Sequence, residues 1–333
     1  MIETIQGRNV NEAFNIAVLN LRQREDLIEM DSRNGPVIMF PGPLITCYQY
    51  PDERVLLSPE RNCNPFFHFM EGLWMLAGRN DLKTLTTFAK KMADFSDDGY
   101  LVNGAYGYRW RNWFGFDQLA TVINILKNNP LDRRAVLQMW DCTKDLGSSS
   151  KDVPCNTQVF FRARPSKVGS YYLDMTVTNR SNDLIWGAYG ANAVHFSMLH
   201  EYVADRVGLG LGRYYQISNN AHVYKDVWEK LEAKLPEGMP IDPYDAQEVK
   251  PDVLINNVDT FDRELKNFFQ WFVHGDEFWL ESENKIFGGT AIPMVESWWL
   301  WQGGMVNEAI ETASEIKSTD WRKACKEWLE RKK

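Results

Sequence analysis

A chain of 333 residues, 44% hydrophobic and 25% charged, has the composition of an ordinary globular protein and is long enough to bury a large core. Its net charge of −8 argues against a broad nucleic-acid-binding face, so its arginines are expected to act locally, on a small phosphate rather than a polymer. The cysteines at 47, 63, 142, 155 and 325 lack metal-ligand spacing and are odd in number, and no apolar run approaches the ~20 residues of a membrane helix; a cytoplasmic protein without metal, membrane or export signal is expected.

Taken in chain order, residues 11–24 place Phe14, Ala17, Val18 and Leu21 at helical spacing behind Asn9 or Asn11 as N-cap. Arg33, Asn34, Gly35 and Pro36 form a turn, and residues 37–50, β-branched and aromatic but interrupted by Pro41 and Pro43, predict an irregular strand. A helix over 64–78 surrounds Glu71 with Phe66, Phe67, Phe69, Met70, Leu73, Trp74 and Leu76, and Gly78 ends it. A second helix is expected over 82–95, then an Asp97-Asp98-Gly99 turn, a helix over 117–128 and a strand over 134–140.

Pro154-Cys155 opens an apolar strand, a hairpin-like insert follows, and Leu173, Met175 and Val177 mark one buried face of the next strand. Residues 193–207 predict a long buried helix, and a strand over 212–218 leads to His222. Helix is expected over 227–235 and over the aromatic stretch 261–280. The end, 297–333, predicts one amphipathic charged helix with Trp321 and Trp328 as packing residues. With no repeat or low-complexity linker, the simplest division is one large domain over 1–240 and a helical extension over 241–333 packed on it.

The segment from Asp152 to Asn192 concentrates the chemistry. It brings the Cys155 thiol across paired strands from Arg180, Ser181, Asn182 and Asp183, and Asn192 adds an amide able to donate to and accept from a planar edge such as a pyrimidine O4/N3. Each residue alone has a plainer explanation. A single Cys at a strand start is most often a small buried hydrophobe, Arg133-Arg134 a solvated pair, Glu71 a surface carboxylate, and His222 a satisfied core histidine. Asn182 and Asn192 fit turn or cap positions beside Gly187 and Gly190. Together they form a binding kit for a phosphorylated pyrimidine, and Glu71, set among apolar side chains, suits a proton relay.

Over roughly residues 10–230 the chain resembles the family of thymidylate synthases and pyrimidine-nucleotide hydroxymethylases. Val153-Pro154-Cys155-Asn156 resembles the motif whose cysteine adds to C6 of the pyrimidine, and Arg180-Ser181-Asn182-Asp183 its R-S-x-D signature. Asp132-Arg133-Arg134 is similar to the tandem arginines that reach across a dimer to the partner's phosphate. His222 and Tyr224 look like the H-x-Y pair for the sugar 3′-hydroxyl, Glu71 like the catalytic glutamate, and Tyr106 in Tyr106-Gly107-Tyr108-Arg109-Trp110-Arg111 like the tyrosine of the proton network at C5. Arg33 occupies the place of a loop arginine for the phosphate.

The resemblance implies an α/β (α+β) thymidylate synthase-like fold, with a large mixed sheet flanked by helices and a sheet-mediated homodimer. It further implies a deoxypyrimidine monophosphate substrate and 5,10-methylenetetrahydrofolate as one-carbon donor, met by Glu71, Trp74, Asp183 and Gly187. The base is read by Asn192, although the spacing from Gly187 is one residue longer than in the family and leaves Ala191 as the other choice. In that chemistry the Cys155 thiolate, favoured by Arg180, turns C5 into a nucleophile. The resulting exocyclic methylene takes either hydride, giving thymidylate, or water, giving a hydroxymethyl group.

Features leaning toward water are the lack of a short apolar closing tail, Asn156 where synthases usually carry histidine, and Asn182 where phage-type hydroxymethylases also use asparagine. An amide at 192 suits uracil, whereas a carboxylate would suit cytosine. Deoxyuridylate hydroxymethylation is the favoured activity, and thymidylate synthesis and deoxycytidylate hydroxymethylation are the alternatives. An idle nucleotide-binding scaffold would have no use for Glu71, Cys155, Arg180 and His222 together. A cysteine hydrolase would require a histidine base, and neither His195 nor His200 shows an orienting partner in sequence.

Overall fold

Period-2 alternation of apolar side chains sets the core of this protein. The computed structural model describes residues 2–167, 169–275 and 282–333. Its strands are β1 (Glu3–Gly7), β2 (Ile28–Ser32), β3 (Gly35–Met39), β4 (Leu44–Tyr48), β5 (Val136–Gln138), β6 (Asn156–Pro165), β7 (Tyr171–Asn179), β8 (Asn182–Asp183), β9 (Gly210–Ser218) and β10 (Ala221–Tyr224). Antiparallel β6 and β7 set Val159 opposite Val177 and Phe161 opposite Met175, all buried. β9 lies parallel to β7 on its other side, and the six-stranded mixed sheet runs β1-β4-β9-β7-β6-β5. A smaller sheet, β2-β3-β10-β8, carries the Arg33 turn at one end and His222 in its middle.

The helices are α1 (Val10–Gln23), α2 (Pro65–Leu76), α3 (Leu82–Phe88), α4 (Tyr106–Tyr108), α5 (Gln118–Asn128), α6 (Asn192–Val207), α7 (Lys225–Glu232), α8 (Phe261–His274), α9 (Ile292–Gln302), α10 (Val306–Ser314) and α11 (Thr319–Glu330). Asn9 caps α1, accepting the N–H groups of Asn11 and Glu12, and Asn64 caps α2 ahead of Pro65. α6 is buried over most of its length and packs against α2 and β9, so the site is built on rigid elements.

Several boundaries depart from sequence patterning. The region 37–50 is two regular strands in different sheets: the chain turns at the prolines, β3 joining β10 while β4 joins β1 and β9. The helix expected over 82–95 ends at Phe88, whose carbonyl takes the Asn64 amide at 3.0 Å; Ala89 is extended and a 3₁₀ turn follows. The last segment is three helices rather than one, because Gly303-Gly304 breaks it, Gly304 at φ +82°, and Ser318 opens another. α8 stops at His274 before Gly275, and the remainder of that expected helix, 276–280, lies outside the described residues.

The described residues beyond 240 share one hydrophobic cluster with the rest of the chain. Trp321 packs edge-on to Phe69 at 5.1 Å, and Trp328 and Trp298 both pack on Phe66, so the aromatic tail supports the outer side of the Glu71 helix. On the sheet face away from the helices, Phe160 and Tyr172 are 38% and 40% exposed, beside half-buried Thr176, Thr178, Tyr215 and Ile217. A single chain leaves that face open.

Candidate active site

Cys155 sits at the entry to β6 with its backbone held from two sides. Tyr106 Oη accepts the N–H groups of Cys155 and Asn156, each at 3.3 Å, and the Arg180 N–H donates to the Cys155 carbonyl at 2.9 Å. The Arg180 guanidinium reaches back to the carbonyls of Pro154 and Val153 at 2.8 and 2.9 Å through Nε and Nη2, which leaves Nη1 for a ligand. Gly107 permits the approach of Tyr106: a Cβ there would lie 1.9 Å from the Met75 carbonyl oxygen of α2.

Burial pushes the Cys155 thiol above its usual value. Arg180 and Arg33 pull it down, while Asp152 adds to the rise. The expectation that arginines leave a lowered thiol is therefore corrected: in the free protein desolvation of the sulfur outweighs them. Arg33, exposed in the β2–β3 turn, still faces the same nucleophile, and neighbouring Asn34 reaches Tyr224 Oη at 3.4 Å.

Behind the thiol runs a ladder of amides. Asn179 Nδ2 donates to Asn156 Oδ1, Asn156 Nδ2 to Asn192 Oδ1 at 3.2 Å, and Asn192 Nδ2 to Asn182 Oδ1 at 3.1 Å. Asn182 Nδ2 then donates to Gln216 Oε1 and Ser218 Oγ, both at 3.0 Å. Asn182 is 3% exposed with its amide committed to protein partners, and it buttresses Asn192. Asn192 keeps one N–H and one lone pair beyond the ladder.

The chain between Leu184 and Ala191 forms a π-helical turn, irregular at Tyr189 and Gly190, which takes up the extra residue and sets Asn192, not Ala191, on Asn156. Gly187 makes room for the amides, since a Cβ there would lie 2.6 Å from Asn182 Oδ1. Gly187 thus packs under the amide pair.

Trp74 is likewise held by protein partners. It is 2% exposed, with its indole N–H on the Asp81 carbonyl and carboxylate at 3.2 and 3.1 Å, which anchors α2. The exposed ring is Trp186, 53% accessible, with the Arg61 guanidinium 4.2 Å from its centre. Asp183 accepts the Trp186 N–H through Oδ1, whereas its buried Oδ2 and Arg61 Nη2 have no aligned partner. Burial raises the Asp183 carboxyl against the Trp186 N–H, His222 and Arg61. Sequence patterning did not single out Arg61 or Trp186; an arginine ahead of α2 and a tryptophan three residues after Asp183 carry no spacing signal.

His222 Nδ1 lies 2.9 Å from Asn220 Oδ1, which fixes Nδ1 as donor and leaves Nε2 as the open nitrogen, and Tyr224 packs edge-on to its ring. Half-buried Ser181 follows Arg180. Arg133 and Arg134 are elsewhere: both are exposed, Arg134 pairs with Asp132 at 2.6 Å, and neither is among the charges acting on Cys155 of the same chain. Arg134 holds the Asp132 carboxyl down at about 2. On α2, Glu71 Oε2 lies 3.0 Å from Nε2 of His195 on α6, so His195, unpartnered in sequence, has a carboxylate beside it.

The family model for thymidylate synthase matches residues 52–268. The chain belongs to the thymidylate synthase family. Within that family it is 43% identical to a protein of Pseudomonas phage M6 named deoxyuridylate hydroxymethyltransferase, over all of this chain and 95% of the relative. It is 40% identical to a Bacillus phage SP01 protein of the same name, over 55% of this chain and 50% of that one. Against the thymidylate synthase of Streptococcus mutans identity is 30%, over 43% of this chain and 56% of that enzyme. The family match runs into α8, beyond the stretch of roughly residues 10–230 that carries the resemblance in sequence. Likeness along the whole chain to the M6 protein means that the aromatic tail has a counterpart there.

Proposed function

We propose that this protein transfers a one-carbon unit from methylenetetrahydrofolate to C5 of deoxyuridylate and completes the reaction with water, giving 5-hydroxymethyldeoxyuridylate. Asn192, a middle rung of the amide ladder, carries the reading, because beyond the ladder it keeps an N–H and a lone pair beside the residue that follows Cys155, the pair that a uracil O4 and N3–H require. Full-length likeness to the phage M6 protein supports the same conclusion.

Cys155 adds to C6 as thiolate and makes C5 an enolate carbon, with Tyr106 holding the backbone of the nucleophile. Arg180 Nη1 and Ser181 with Arg33 would bind the phosphate, Arg133 and Arg134 would complete it from a partner subunit across the open sheet face, and His222 with Tyr224 would hold the sugar. The donor fits a Trp186 face bordered by polar atoms without partners, Asp183 Oδ2 and Arg61 Nη2. When bound it supplies a CH₂ group that C5 captures and retains as an exocyclic methylene. Asn156, held in the ladder, sets a neutral amide at the position after the cysteine. The setting is a cytoplasmic nucleotide-synthesis enzyme.

Mass spectrometry of the product from methylenetetrahydrofolate and either deoxyuridylate or deoxycytidylate, with absorbance recorded for dihydrofolate, tests this. A hydroxymethyl mass on uracil without dihydrofolate is expected. A methyl mass with dihydrofolate would overturn the reading.

A further inference from the structure

The methylene left on C5 needs water at one carbon and a base for that water's proton. Asn192 and His195 lie three residues apart on α6 and so share a face of that helix. Asn192 touches the residue after Cys155, and one turn further on His195 Nε2 meets Glu71 Oε2 at 3.0 Å. Both of these atoms are buried and neither has an aligned hydrogen bond, although Glu71 and His195 side chains are only 14% and 3% exposed. At 3.0 Å the two atoms touch but are misaligned for a direct hydrogen bond, so each can turn to a small polar ligand beside the pair.

Phe196, next on the helix, packs on Tyr106 at 5.8 Å, which keeps this stretch of α6 against the nucleophile. His68, one turn before Glu71 on α2, sits edge-on to His195 at 6.4 Å, and burial holds its imidazole well below the usual range, so it remains neutral. A cleft of mixed lining, including Leu57, Ser58, His68, Val194, Trp321 and Arg331, reaches His68 from the side of α11.

We propose that His195 and Glu71 together bind and deprotonate the water that attacks the exocyclic methylene. The oxygen–carbon bond forms as the C5=CH₂ π pair moves to the C4 oxygen, and the water proton passes to the Glu71–His195 pair. The enolate then restores C4=O and C5=C6 while the C6–S bond breaks and Cys155 leaves as thiolate. The C5 proton and the proton from water replace the two bonds by which the reduced folate held the carbon, so atoms and charge balance. The proposal rests on the hydroxymethylating reading above.

Two variants test it, His195→Ala and His195→Gln, the second able to hydrogen-bond Glu71 but not to take a proton. Three quantities are read with deoxyuridylate tritiated at C5: tritium release, 5-hydroxymethyl product, and the thioether mass formed when 2-mercaptoethanol is added to capture the methylene. In both variants tritium release is expected within about fivefold of wild type, while hydroxymethyl product falls about 10²-fold and the thioether appears. Parallel loss of tritium release and product in both variants, or unchanged product in His195→Gln, would overturn the role of His195. Failure of the underlying reading is distinct, since wild type itself would then yield methyl product and dihydrofolate.

Discussion

Cys155 illustrates how far one side chain is governed by what surrounds it. Burial raises its thiol and the two arginines only partly offset this, so in the free protein the thiolate is the minor form at neutral pH. Alkylation of Cys155 is therefore expected to accelerate with pH beyond the ordinary thiol range near 8.5, and Arg180→Ala should push that profile further upward. A profile centred below 8 in wild type would contradict the burial argument. At Asn192 the argument concerns which edge is read. Replacing the amide by a carboxylate in Asn192→Asp should move the kcat/KM ratio from uracil toward cytosine nucleotides by about tenfold or more, the worth of one hydrogen bond near 1.4 kcal/mol. An unchanged ratio would mean that another residue reads the base.

Among the elements, α6 joins function to stability. Its first turn holds Asn192 and His195, and its last turn carries Asp205, whose carboxyl is pushed up to about 7 by burial and by Glu201, against Arg54. Because the folded value lies above the unfolded one, the stability tied to this proton is present below about pH 4 and is lost as pH rises through about 7. Asp205→Asn removes that loss, and after solvent screening the gain at pH 8 should be on the order of 1 kcal/mol in urea unfolding, with little gain at pH 4. An identical pH slope in the variant would exclude Asp205 as the source. The π-helical turn ahead of α6 is the other local decision, since one residue more or fewer would rotate Asn192 off the ladder.

For the whole molecule, the open sheet face and the exposed Arg133 and Arg134 argue for a site shared between two copies. Cys155→Ala should abolish turnover yet bind nucleotide, and Arg134→Ala should weaken phosphate binding. At a nucleotide concentration too low to fill the Arg134→Ala site, dissociating and mixing the two proteins should restore about a quarter of wild-type activity, since half of the random dimers carry one intact site. No recovery, with heterodimers demonstrated, would place the arginines outside the partner's site.

What the residues alone determined is the local chemistry: the Pro-Cys strand start, the Arg-Ser-Asn-Asp cluster, the glutamate helix and the alternation of β6 and β7 depend on spacing within one element. Tertiary structure decided everything that requires two distant elements to meet. Trp74 and Asn182 look like ligands in sequence, and only packing shows the indole tied to Asp81 and the amide spent on Gln216, Ser218 and Asn192. His195 looked unpartnered because Glu71 lies far away in the chain, on a helix that α6 reaches only by folding. Hydrophobic periodicity reports which face of an element is buried, but not what lies opposite, and the pairing of buried polar groups is fixed by that opposite surface.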